Sequence, residues 1–419
     1  MNQFLRRCRD SFLCRIKWEQ KWKPLIYRHR QSCLIKEIRK KDEIRVLFVL
    51  AELGAWKTES LYVAMLKHPR FNPIIGVTTS LEVPGSKEQL VSYLKSKKYS
   101  FVDLDATNDS ISSVSPDIKF YYKPYPNSYP SGIFFDYHMD SVVCHIFYGF
   151  SQGGTAHSFN HKIWRYSWKA FVENDIVINT AKSLGVSTGN FVVTGTPMED
   201  LLSQGKESFS NPWKLCGEKV KIIYAPHHSL KGTNKNFIEY STFLELGETI
   251  LHLAKKYSEK VQWAFKPHPT LYPKLLKVWG KEKTDAYYDE WKNMDNSQLE
   301  LGEYVGLFKY SDAMIHDSCS FIVEYMFTGK PVMFLERQPQ TAEQLMLGEF
   351  GYRAYQNHYH GKDEEQIEAF INDIILGNDP KKKERKKYYQ DYLIPPYGMS
   401  ASDNIIDAIL GEGHYKYLR

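Results

Sequence analysis

The stretch 311–335, SDAMIHDSCSFIVEYMFTGKPVMFL, decides the fold. Ala313-Met314-Ile315 and Val332-Met333-Phe334-Leu335 are short apolar runs of the kind that form buried strands. Between them Phe321, Ile322, Tyr325 and Met326 recur at helical spacing. Gly329 and Pro331 stop that helix, and Asp317 or Ser318 is placed to cap its start. The order is strand, polar turn, helix, strand. In such a βαβ unit the carboxyl end of the first strand faces the ligand crevice, and the helix N-terminus offers unpaired N–H groups to an anion. His316, Asp317, Ser318 and Ser320 are therefore either helix caps or ligand contacts, and a second site has to decide.

Working outward, that second site comes quickly. Val220–Ala225 reads as a strand ending in Pro226-His227-His228-Ser229, and Val261–Phe265 as one ending in Lys266-Pro267-His268-Pro269. A residue before proline is biased away from helical conformation, so His268 is held extended at its strand's end. Three strand ends in one domain thus carry histidine or other polar groups. Histidines, Lys266 and a helix N-terminus together suit a diphosphate, a dispersed negative charge met by dispersed donors. The histidine spacing matches no standard zinc motif, so no metal is expected. No GxGxxG or GxxxxGK[ST] occurs, and Asp103-Leu104-Asp105 is too short a match to a metal-binding DxD to carry weight.

The rest of the chain repeats the alternation. Strands are expected at Ile44–Leu50, Phe71–Thr79, Tyr99–Leu104, Ile118–Tyr122, Val142–Tyr148 and Phe191–Thr194, with helices near 59–67, 87–97 and 163–173. The polar stretch 198–218 reads as a linker, and further helices as 240–257, 341–348 and 363–376. Two runs of alternating β and α imply two doubly wound Rossmann-like α/β domains facing a cleft. The boundaries expected are a basic arm over 1–42, a first domain over 43–205 and a second over 206–419.

Composition narrows the class. A chain of 419 residues is too long for one ordinary core; 42% hydrophobic with 25% charged residues is that of a globular protein in water. Six scattered cysteines without CxxC spacing read as reduced cytosolic thiols. No signal segment and no membrane span is expected. The net charge of +6 concentrates at the start, where Arg6, Arg7, Arg9, Arg15, Lys17, Lys21 and Lys23 interleave with Phe4, Phe12, Trp18 and Trp22. That pattern fits a helix on an anionic membrane surface, hence peripheral association with the inner face of the cell membrane. A nucleic-acid binder would spread its basic residues along a face; the run KKKERKK at 381–387 reads as a solvated helical face.

As an ordered set these residues resemble a known family. Tyr224-Ala-Pro-His-His228, Phe265-Lys-Pro-His-Pro269 and Ser311-Asp312…His316-Asp-Ser318…Glu324…Gly329-Lys-Pro331 are similar to the C-terminal half of CDP-glycerol glycerophosphotransferases, which make teichoic-acid-like and capsular polymers. The likeness extends more weakly through Cys144–Phe150 and Val193–Pro197. It implies a GT-B fold without a metal, a CDP-linked polyol donor in the C-terminal domain, and a polymer or lipid-linked acceptor toward the N-terminal one. His268 would then contact the donor diphosphate, Asp317 and Ser318 would hold the donor, and CMP would leave. The departure is at Phe147-Tyr148-Gly149, where the family carries Trp-His-Gly with its histidine base. Tyr148, His145, His157 and His161 are the replacements at hand. His157, in the loop Gly153-Gly-Thr-Ala-His157, is the base expected here. The alternative is a GT-B glycosyltransferase using a nucleotide sugar.

Overall fold

The computed structural model describes residues 22–106, 110–135, 140–214, 217–232 and 239–418. The chain forms two compact units. One comprises Met1–Ser151, Thr155–Leu201 and Pro395–Arg419; the other comprises Gln152–Gly154 and Leu202–Ile394.

The first unit carries a seven-stranded sheet of β1 (Ile44–Leu50), β2 (Phe71–Val77), β3 (Phe101–Asp103), β4 (Ile118–Tyr121), β5 (Val142–Ile146), β6 (Lys169–Val172) and β7 (Phe191–Val193). Their order is β3-β2-β1-β4-β5-β6-β7, and every pair is parallel. The second unit repeats the pattern with β8 (Val220–Ala225), β9 (Val261–Phe265), β10 (Ser297–Leu299), β11 (Ala313–His316), β12 (Val332–Leu335) and β13 (Tyr359–Gly361). Its order is β10-β9-β8-β11-β12-β13, again all parallel. Parallel strands need crossover helices on both faces, so they are buried on both sides and read as continuous apolar runs. IRVLFVL and VQWAF are such runs, and their burial is nearly complete.

In both sheets the strand order reverses once, between β1 and β4 and between β8 and β11. Ligands of doubly wound sheets bind outside the carboxyl ends of the strands at that reversal. In the second unit the reversal is flanked by Pro226-His227-His228 after β8 and His316-Asp317-Ser318 after β11. Beneath it lies an aromatic core: Phe265 stacks on Trp291 at 5.2 Å between centroids and on Tyr224 at 5.7 Å. Aromatic pairs of this kind add about 0.5–1.5 kcal/mol each beyond their buried area, which makes the platform under the histidine turns stiff.

Several expectations need correction. Residues 163–173, expected to be one helix, form a helix over Lys162–Tyr166 and then β6. Trp168, Ala170, Phe171 and Val172 are buried there, so pairing with β5 and β7 overrides a weak helical period. The expected linker contains a helix, Pro197–Ser203, with Pro197 at its start, Glu199 and Asp200 in its first turn, and Met198 and Leu202 buried. A helix at 341–348 is replaced by turns, and the helix begins at Glu349.

The expected basic arm is different in kind. The part up to Lys21 lies outside the described residues. Lys23–Ile38 is a helix of the first unit, with Tyr27, Gln31, Ile35 and Ile38 buried. Gln31 ties it to β5, donating to the Tyr166 carbonyl at 2.7 Å and accepting from the Val143 N–H at 2.7 Å. The C-terminal residues also depart from the expected domain 206–419. The helix Ala401–Leu410 belongs to the first unit, where Ile405, Ile406 and Ile409 join its core. Asp200 accepts from the Ala401 and Ser402 N–H groups at its start, and the Arg39 guanidinium caps its last carbonyls at Ala408 and Ile409.

Candidate active site

The three histidines that follow β8 and β9 form one cluster. A ring nitrogen of each of His227, His228 and His268 lies within 4.8 Å of those of the other two. The rings of His228 and His268 are 4.2 Å apart between centroids, and those of His227 and His228 4.3 Å. The turns that present them share a rule. The Nδ1 of His227 accepts from the N–H of Ser229, two residues on, at 3.2 Å, and its hydroxyl lies at 2.8 Å. The Nδ1 of His268 accepts from the N–H of Thr270 at 3.2 Å, with that hydroxyl at 2.9 Å. The Nδ1 of His316 lies 3.2 Å from the Ser318 N–H and 3.1 Å from the Ser318 carbonyl. All three turns read His-x-Ser/Thr, and sequence reasoning passed over that repeat. His228 is placed differently: its Nδ1 accepts from the Lys274 ammonium at 2.9 Å.

A nitrogen that accepts from an N–H carries no proton, so in the neutral rings of His227 and His268 the proton sits on Nε2. Burial also keeps these rings neutral. His268 is pushed down to about 3, by burial first and then by His228, Lys274 and Lys266. His228 falls to about 4, through burial and then Lys274, opposed by its own carbonyl. His227 lies well below the ordinary value through burial and its histidine neighbours.

Lys266 is buried, donates to the Gly302 carbonyl at 2.8 Å and lies over the Tyr304 ring. It is held beside His268, near enough to depress that imidazole's basicity.

The turn after β11 departs from expectation. Asp317 is fully buried and does not cap the helix Phe321–Glu324 that follows it. Its Oδ1 accepts from the His227 N–H at 2.5 Å, and its Oδ2 from the Thr242 N–H at 2.6 Å and the Thr242 hydroxyl at 3.0 Å. Both oxygens are thus committed to backbone, and the residue joins the His227 turn to the start of the helix Phe243–Lys256. Burial raises its carboxyl to about 6, against the pull of those hydrogen bonds. His316, expected among the donor contacts, is fully buried between Phe334 and His358. As the last residue of β11 it points to the face opposite Ala313 and Ile315, which is core. Ser318 is almost fully buried. Ser320, not Asp317 or Ser318, occupies the cap position of the short helix Phe321–Glu324, and its side chain makes no capping bond. Gly329, with φ of 67°, closes the turn that follows.

Gln152, also missed, donates from its side chain to the Cys319 carbonyl at 2.7 Å. Arg337, just after β12, clamps the carbonyls of Glu239 and Ser241 and the Glu245 carboxylate. It braces the segment that leads to Thr242.

In the first unit the base candidates fall on one line of rings. His157 is exposed, with its ring 4.7 Å from that of His161. His161 meets the Tyr125 ring edge-on at 4.9 Å, and Tyr125 is hydrogen-bonded to Tyr148. Lys123 stands over the Tyr148 ring and bridges Glu52 at 2.5 Å and Glu82 at 2.7 Å. These side chains follow β1, β2, β4 and β5 and so sit at the carboxyl edge of that sheet. His145 is excluded from such work: it is fully buried within β5, donates to the Tyr121 carbonyl at 2.8 Å, and is pushed down to about 3 by burial.

A family model for CDP-glycerol:poly(glycerophosphate) glycerophosphotransferases matches residues 150–410. The chain belongs to this family. It is accordingly a transferase acting on CDP-glycerol, and the match spans both the histidine turns and the loop that carries His157. Among solved structures, a putative UDP-N-acetylglucosamine 2-epimerase from Listeria monocytogenes aligns with a TM-score of 0.59 at 16% identity, covering 88% of this chain and 96% of that one. The wall teichoic acid polymerase TagF, as its H444N variant, aligns at 0.58 and 13% identity, covering 96% and 97%. The UDP-GlcNAc 2-epimerase of Neisseria meningitidis aligns at 0.55 and 17%, covering 88% and 99%. At these identities the likeness is one of fold, a GT-B-like pair of parallel-sheet units. No curated protein sequence was matched.

Proposed function

We propose that the family's reaction runs here on a metal-free histidine cradle. His227, His228 and His268 present Nε2–H groups to the diphosphate of a CDP-linked polyol, with the charge of Lys266 behind His268. One observation carries this reading: every Nδ1 in the cluster accepts a hydrogen bond from a fixed donor. Metal-bound histidines have the opposite outer shell, donating their second ring N–H to a carboxylate or carbonyl. Three neutral Nε2–H donors fit phosphate oxygens instead.

In the reaction an acceptor hydroxyl attacks the β-phosphorus, the bond from that phosphorus to the bridging oxygen breaks, and CMP leaves. His157 takes the hydroxyl proton. The cradle donors stabilise the charge that gathers on the phosphate oxygens, the largest lever available to a phosphoryl-transfer site. The product is a cell-surface polymer of the teichoic-acid or capsule class, built on a polymeric or lipid-linked acceptor. Peripheral attachment to the inner membrane face is supported by Trp22, Leu25 and Ile26, which are exposed together at the start of the helix Lys23–Ile38. Among the described residues no helix is long and apolar enough to cross a membrane.

The test is a panel of CDP-glycerol, CDP-ribitol and UDP-sugars assayed for the nucleotide released. CMP from a CDP-polyol is expected. Release of UDP from a UDP-sugar, with the CDP-polyols inert, would overturn the reading.

A further inference from the structure

The cradle has an asymmetry. His227 and His268 each receive, on Nδ1, the N–H of the residue two positions on, so their own turns set which nitrogen carries the proton. His228 lacks that arrangement. The residue two positions after it is Leu230, whose N–H goes to the His228 carbonyl at 2.9 Å. Its own turn therefore supplies no N–H to the Nδ1 of the ring. The missing donor arrives from another element: Lys274 lies in the first turn of the helix Leu271–Val278 and brings its ammonium to 2.9 Å from the His228 Nδ1.

We propose that Lys274 is a positioning residue of the donor site: it fixes His228 as the neutral Nε2–H form and so completes a three-donor cradle for the diphosphate. This rests on the reading that the cradle holds the donor. An ammonium cannot accept a hydrogen bond, so a proton on Nδ1 of His228 would face Lys274 donor to donor. The same positive charge resists protonation of the ring, an effect that burial reinforces. Lys274 itself is held below its ordinary basicity by burial and then Lys277. The charged or titratable neighbours around His228 are the rings of His227 and His268, 4.3 and 4.2 Å away, and Lys274. No carboxylate is among the groups shifting its basicity. Removing Lys274 therefore leaves the ring free to change tautomer and easier to protonate.

The experiment compares wild type, K274M and K274R. Nitrogen-15 NMR of the histidine rings and CDP-glycerol binding without acceptor are followed from pH 8 to pH 6. The diphosphate diester keeps constant charge over that window. Lys274 is half-exposed, so both variants keep the helix. In wild type His228 should be a pure Nε2–H ring with a flat affinity profile. K274M should show mixed tautomers and bind roughly tenfold more weakly at pH 8, the scale of one lost donor. Its affinity should rise somewhat as pH falls, by less than the initial loss, because burial, the larger cause that keeps the ring neutral, remains. K274R should restore the tautomer and the flat profile. If CDP-glycerol moves none of the His227, His228 and His268 resonances, the donor reading fails and the proposal with it. If they move, yet K274M keeps the wild-type tautomer and a flat profile, the proposal alone is overturned.

Discussion

Replacing Asp317 by alanine separates a residue that holds the site together from one that touches the donor. The substitution strands the His227 N–H, the Thr242 N–H and the Thr242 hydroxyl, all buried. A buried donor left without a partner costs about 1–3 kcal/mol. Part of that loss is offset, because the native carboxyl is itself costly to bury: it is raised from 3.8 to about 6. At about 1.36 kcal/mol per pH unit, ionising it in the folded protein costs about 3 kcal/mol at pH 7. With three such donors and that offset, the expected net loss at pH 7 is about 0–6 kcal/mol, centred on about 3. The pH dependence has a definite sign. With the folded value above the unfolded one, the Asp317 contribution is fully present below 3.8 and is lost as pH rises through 6. The gap between wild type and Asp317→Ala should therefore widen by up to about 3 kcal/mol as pH falls from 7 to 4. Hydrogen exchange of the β11 amides at several pH values would read it, with CDP-glycerol affinity measured alongside. A gap below about 1 kcal/mol at every pH, joined to a tenfold loss of affinity, would refute the reasoning and make Asp317 a donor contact.

The other expectations are quicker to state. His268→Ala should lower turnover by roughly 10²–10³-fold, the scale for one transition-state donor, with the fold intact; turnover within about threefold of wild type would remove His268 from the site. His157→Ala should lose at least about 10²-fold in turnover with donor affinity nearly unchanged, and Tyr148→Phe less; the reverse ranking would pass the base role to Tyr148. Serine at Trp22, Leu25 and Ile26 together should weaken binding to anionic vesicles roughly tenfold or more. Unchanged cosedimentation would point instead to the basic helix Lys382–Tyr392.

What could be read from the chain alone depended on how local its cause was. IRVLFVL, VQWAF and VMFL are strands because both faces are covered, and a continuous apolar run records that in the residues themselves. β6 was hidden because it follows the short helix Lys162–Tyr166 almost directly, and only the pairing of Lys169–Val172 with two neighbours decides where the helix gives way. The histidine turns were legible as a polar group at a strand end. Their proton positions were half legible, since His-x-Ser/Thr is a local pattern, whereas Lys274 reaches His228 across 46 positions. Asp317 was misread for the same reason. Its partners are 75 and 90 positions away, and a cap on the adjacent helix is the nearest explanation a sequence can offer. His316 looked like a ligand by type and position, but strand alternation turns it into the core.

The return of residues 395–418 to the first unit bears on how the chain folds as it is made. Ile405, Ile406, Ala408 and Ile409 lie in the same core as β1 and β2, yet they leave the ribosome after the whole of Leu202–Ile394. The second unit, continuous apart from Gln152–Gly154, can finish first, while the first waits with an apolar gap beside the helix Glu59–Lys67. A premature stop near Ile394 would leave the histidine turns assembled and strand the unit made earliest.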